Sequence, residues 1–139
     1  MTGPLLLLIA VATAALVALM MRWKNGRFAE VDDREILTPE QLGAPLGQRA
    51  TLVQFSSAVC SPCRATRTLL ADIVAGTGGV ALVEIDVEAR PDLVRELGVM
   101  RTPTVLVLDR AGAVSTRASG LPRRDQVLAA LTEVSKRSQ

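Results

Sequence analysis

The stretch TLVQFSSAVCSPCRA, residues 51–65, holds the only two cysteines of the 139-residue chain, Cys60 and Cys63. It begins as an apolar, strand-like run (Thr51 to Phe55) and passes through the cysteines into a helix-like run. A thiol at that junction lies at or near a helix N-terminus, where free backbone N–H groups and the helix dipole favour negative charge. A free thiol has a pKa of about 8.5, and such a site lowers it, so more of the nucleophilic thiolate is present near neutral pH. A second thiol one turn along can attack a mixed disulfide and release the substrate. The spacing is that of a redox pair. Half of a zinc site is a competing reading, but structural zinc takes four Cys or His ligands, and the chain has no His and no third Cys. A structural disulfide or two idle buried thiols is the other.

Composition narrows the chemistry further. Apolar residues make up 49% of the chain and aromatics 2% (Trp23, Phe28, Phe55), so the core must be Leu, Val, Ile and Ala. With 16 basic and 14 acidic side chains there is no basic field for nucleic acid, and there are too few aromatics for base stacking. The absence of His removes Ser-His-Asp and Cys-His mechanisms and most catalytic metal sites.

Upstream, residues 5–21 (LLLLIAVATAALVALMM) contain one polar residue, Thr13. With Pro4 the run is long enough for about 27 Å of helix, close to the ~30 Å thickness of bilayer hydrocarbon. A secretory signal peptide is the rival reading; it calls for a positive n-region, and residues 1–4 carry no Lys or Arg. Arg22, Trp23, Lys24, Arg27 and Phe28 follow, in the pattern of an interfacial anchor. Residues 29–37 read as a short hydrophilic linker ending in a strand-like Ile36-Leu37.

Downstream, Thr38-Pro39-Glu40-Gln41 carries a capping box with Pro at the first helical position. Residues 51–57 suit a buried strand, and Leu69, Leu70, Ile73 and Val74 recur at helical spacing until Gly76, Gly78 and Gly79. Residues 80–86 suit an inner strand, and Pro91 opens a helix stopped by Gly98. Residues 104–108 and 114–118 form a hairpin around Asp109-Arg110-Ala111-Gly112, and Pro122 begins a last helix. The order describes an α/β fold, a mixed sheet flanked by helices on both sides.

Residues 51–65, Val83-Glu84-Ile85-Asp86, Gly98 to Thr104, Asp109 to Gly112, and Gly120 resemble thioredoxin in order and spacing. The resemblance covers roughly residues 36–135. It implies a thioredoxin-like domain at 36–139, and the residues ahead of it read as a tail (1–3), a transmembrane helix (4–21) and a juxtamembrane linker (22–35). It also implies a protein-disulfide oxidoreductase, here tethered to the membrane by the apolar run, acting as a reductant through Cys60 as attacking and Cys63 as resolving thiol. Thr102 and the family's cis-proline, here Pro103, would bind substrate, and Gly120 would leave room for it. Arg64, Arg101 and Gln54 would tune the thiols. No cofactor or metal is expected. The expected partners are protein disulfides or thiols, an electron-donating reductase and the bilayer, with no nucleic acid. Oxidase or isomerase activity, and a redox-inert adaptor for a membrane partner, are the alternatives.

The sequence departs from the family at four places. Gln54 replaces the buried Asp, and its Lys partner is Leu82. The aromatic before the first cysteine is Val59, and a nearby Trp is Ser56. The Ser61-Pro62 dipeptide keeps the proline of family reductants and lacks the His of strong oxidants. All three basic residues near the apolar run follow it, which favours a cytoplasmic redox domain.

Overall fold

A computed structural model describes residues 2–31 and 35–138. Residues 32–34, within the expected linker, and the two terminal residues lie outside the described residues. Helix α1 (Thr2–Lys24) is followed by β1 (Phe28–Glu30), α2 (Pro39–Leu42), β2 (Ala50–Ser56), α3 (Ser61–Ala75) and β3 (Val80–Asp86). Then come α4 (Pro91–Glu96), β4 (Thr104–Asp109), β5 (Val114–Ser119) and α5 (Arg124–Arg137). The strands form one mixed sheet in the order β1-β5-β4-β2-β3, with β2 and β3 parallel and the other pairs antiparallel.

Alternation along the central strands sends side chains to two apolar layers. Val53, Phe55, Val83, Ile85, Leu106 and Leu108 pack with Leu42 of α2 and with Leu93 and Leu97. Ala50, Leu52, Val105 and Val107 face the opposite way, against Leu70 and Ile73 of α3 and Val127, Leu131 and Val134 of α5. Local signals fix the short elements. Thr38 and Gln41 form the capping box that starts α2, each side chain bonded to the other's backbone N–H.

Five expectations need correction. The segment 22–35 is not simply a linker: α1 continues through Lys24, and β1 pairs with β5 from Phe28↔Ala118 onward. Phe28 packs against the α3–α5 core layer and is no interfacial anchor. Ile36 makes only an isolated bridge to Ala113. Strand β3 is an edge strand, apolar because both of its faces are covered; what stays free is its outer backbone edge, which hydropathy does not report. The last helix begins at Arg124, with Arg123 as its N-cap, two residues after Pro122.

Helix α1 has no buried residue and, at 23 residues, extends about 34 Å. It is long and apolar enough to be a candidate membrane span, and lies near the N-terminus, as a signal sequence also would.

Candidate active site

The β2 strand delivers the chain to the upper edge of the sheet, and a short turn leads into α3. Cys60 is the N-cap of that helix: its backbone is extended, and its Sγ accepts the Cys63 N–H at 3.2 Å. The two cysteines form a disulfide with an S–S distance of 2.00 Å and Cα atoms 5.2 Å apart. Helix geometry makes the pair unequal. Cys60 is partly exposed, whereas Cys63, inside the first turn, is 1% exposed.

Behind Cys63 lies Gln54, at 0% exposure. Its Nε2 donates to the Cys63 carbonyl at 2.8 Å, and its Oε1 has no hydrogen-bond partner among the described residues. Leu82 packs along the α3–α5 layer and offers no charge to this position. Ser56 stands where the family resemblance calls for Trp, and a polar cavity of about 200 Å³ opens beside the sulfurs, lined in part by Ser56, Arg64, Arg67, Glu84 and Asp86. That volume admits several waters, each occupying about 30 Å³ in the liquid. Arg67 pairs with Glu84, and its hydrogen bond holds the Glu84 carboxyl below the usual range against the opposing effect of burial. The pair is substantially exposed, so its worth to stability is about 0–1 kcal/mol.

On the other side of the disulfide the Thr102–Pro103 peptide bond is cis. The Gly120 N–H donates to the Pro103 carbonyl at 2.7 Å, and the hydroxyls of Ser57 and Thr102 lie 3.3 Å apart. Pro62, Thr102, Pro103, Gly120 and Leu121 share a groove of about 350 Å³ with Asn25 and Arg101. Gly120 has φ +94°, and a Cβ there would lie 1.9 Å from Asn25 Oδ1. The room that Gly120 leaves is therefore filled by the Asn25 amide.

The structure thus brings Cys60, Cys63, Gln54 and Arg64 to one side of the site and Thr102, Pro103 and Gly120 to the other. Arg101 lies in the groove beside Pro62 and Pro103, where its Nη2 donates to Asn25 Oδ1 at 2.5 Å and to the Ser119 carbonyl at 2.8 Å. Asn25, Ser57 and Glu84 were not legible as site residues. Asn25 reaches Gly120 across 95 positions of chain, and no local pattern records such a contact.

The fold and the paired cysteines define a thioredoxin-like redox protein. A family model described as Thioredoxin matches residues 35–133, and the chain belongs to that family. A thioredoxin of Mycolicibacterium smegmatis is 31% identical over 88 residues, covering 61% of this chain and 78% of its own length. One of Alicyclobacillus acidocaldarius is 29% identical over 89 residues, covering 63% and 84%. Among solved structures, chloroplastic thioredoxin z overlaps 78% of this chain and 99% of its own at a TM-score of 0.60 and 25% identity. The Malassezia sympodialis thioredoxin overlaps 77% and 95% at 0.55 and 20%.

Proposed function

We propose that this chain is a membrane-tethered thiol–disulfide oxidoreductase that reduces protein disulfides. The observation that carries the reading is the unequal Cys60–Cys63 pair at the start of α3, one sulfur accessible and the other buried. Reduced Cys60 attacks a substrate disulfide, and the Cys63 N–H that its sulfur accepts is placed to hold the thiolate charge. Cys63 then attacks Cys60 Sγ, expels the substrate thiol and closes the disulfide. Thr102 and Pro103 bind the substrate segment beside the sulfurs, with Asn25 occupying the space at Gly120, and Arg64 adds positive charge near them. A dithiol-supplying reductase returns the pair to the reduced form, and no bound cofactor is needed.

The direction rests on Ser61-Pro62 and the absence of His, which leave the thiolate less stabilised and the disulfide less oxidising. With dithiothreitol as electron source, the full chain in detergent is expected to reduce insulin disulfides well above the uncatalysed rate. A rate equal to the dithiothreitol background, from folded protein, would leave the redox-inert adaptor as the better reading.

The candidate span α1 is the tether, and the domain faces the cytoplasm. Arg22, Lys24 and Arg27 all follow the apolar run, and basic flanks stay on the cytoplasmic side. In intact cells treated with a mild permeant reductant, a membrane-impermeant thiol reagent should label Cys60 only after lysis. Labelling before lysis places the domain outside.

A further inference from the structure

The sheet register fixes where α1 meets the domain. Phe28 pairs with Ala118, Ala118 with Val105, and Val105 with Gln54. The chain leaving α1 therefore joins the sheet level with the residue that backs Cys63. It does so at the edge from which β2 delivers the cysteine turn. Strand β1 lies three places from β2, which at ~4.8 Å per strand is about 14 Å across the sheet.

The connection is short and pinned. Only Asn25, Gly26 and Arg27 separate α1 from β1, and from Lys24 to Phe28 the chain spans at most about 14 Å. The Asn25 N–H continues the helix to Met21, and the Gly26 N–H donates to Ser119 at 2.6 Å. Asn25 is held by Arg101. Gly26 has φ +72°, and a Cβ there would lie 2.0 Å from the Leu121 carbonyl oxygen, so only glycine lets the two segments approach this closely. A domain fastened in this way cannot swing outward as it could on a flexible linker.

The surface beside this junction suits a headgroup-level partner. Arg22, Trp23, Arg27 and Arg123 line one pocket between α1 and α5, placing cations where lipid phosphates would lie. Val59 is 98% exposed, Met100 93% and Leu121 42%, all in segments that border the disulfide or its groove.

Resting on the reading of α1 as a membrane anchor and of the cysteines as redox-active, we propose that the chain exchanges disulfides with cysteines held at the bilayer surface on an integral-membrane protein. Disulfides carried farther from the membrane are out of its reach. In the reducing direction Cys60 thiolate attacks one partner sulfur, the partner S–S bond breaks, and the departing sulfur takes up a proton. Cys63 gives up its proton and displaces the second partner sulfur from Cys60. That second sulfur also takes up a proton. In total two electrons pass from the Cys60–Cys63 dithiol to the partner, and the two protons it gains balance the one Cys60 lost on ionising and the one Cys63 gave up.

The test reconstitutes the pre-reduced full chain in phosphatidylcholine–phosphatidylglycerol vesicles with a single-span peptide carrying one bridged cysteine pair. The pair is placed either directly after the span or beyond a 20-residue helical stalk, about 30 Å farther out. Single-turnover exchange, stopped by alkylation, should be at least tenfold faster for the near pair. A flexible 20-residue Gly/Ser insertion between Lys24 and Asn25 should bring the two rates within about twofold, since such a linker has a reach of about 25 Å. Equal rates in the native chain, or a preference that survives the insertion, would overturn the proposal. Two controls separate it from the readings beneath it. Failure to reduce insulin in detergent removes the redox reading, and release from vesicles by carbonate removes the anchor; either result takes this inference with it.

Discussion

Cys60→Ser is expected to abolish disulfide exchange, whereas Cys63→Ser should retain the first attack and accumulate mixed disulfides on Cys60. The asymmetry follows from one helical turn. Cys60 is the N-cap and is partly open to solvent, so a substrate sulfur can approach it in line. Cys63 is 1% exposed within the helix and can reach only a sulfur already bonded to Cys60. Without Cys60 no attacking thiol remains among the chain's two cysteines, so turnover should fall to the background. Without Cys63 the intermediate has no internal exit and persists until an external thiol displaces it. Non-reducing gels and peptide mass mapping of both variants, after incubation with insulin, check the assignment. Adducts on Cys63 in the Cys60→Ser protein, with none in the converse variant, would reverse it.

Gln54→Asp should accelerate the resolving step near neutral pH and lower stability. Gln54 is fully buried, and its amide cannot take the Cys63 proton, so in the native chain that proton leaves by water in the adjoining cavity or through the other sulfurs. A carboxylate at this position supplies an acceptor. It also loses the amide donor to the Cys63 carbonyl, and its register partner on β3 is the carboxylate of Glu84, not a cation. Burial disfavours the charged form and raises the folded pKa of the new Asp above its unfolded value of about 3.9. The folded state then binds the extra proton more tightly. Stability relative to native protein should fall with pH above about 4, by about 1.4 kcal/mol per unit, until the folded pKa is passed. A pKa raised to about 7 corresponds to a loss of about 4 kcal/mol at high pH, on top of about 1–3 kcal/mol for the lost hydrogen bond. Denaturant melts at pH 5 and pH 8 measure the loss of stability, and alkylation-quenched exchange measures the acceleration. Unchanged exchange in a folded Gln54→Asp protein would remove the proton-acceptor account.

Most of the fold was legible because its signals are local. Two-residue alternation and short apolar runs mark β2, β4 and β5, the 3.6-residue recurrence of Leu70 and Ile73 marks α3, and a capping box marks α2. Where those signals fail, the cause is non-local. Phe28–Glu30 is a strand because β5 offers it an edge, and three residues carry too little periodicity to announce that. Strand β3 looks central by composition and lies at an edge, since hydropathy records covered faces and not paired backbones.

The site divides in the same way. The sequence by itself determined the cysteine pair, its place at a strand–helix junction, the missing buried carboxylate at Gln54 and the apolar helix ahead of the domain. These are statements about residue type and spacing, which a chain carries whether or not it is folded. Only the tertiary structure decided that Gln54 donates to Cys63, that Arg101 holds Asn25, and that Asn25 fills the space above Gly120. It also decided that α1 joins the sheet at the edge bearing the disulfide. The last three depend on strand order and register, which bring residues 76 to 95 positions apart into contact and leave no trace in local spacing.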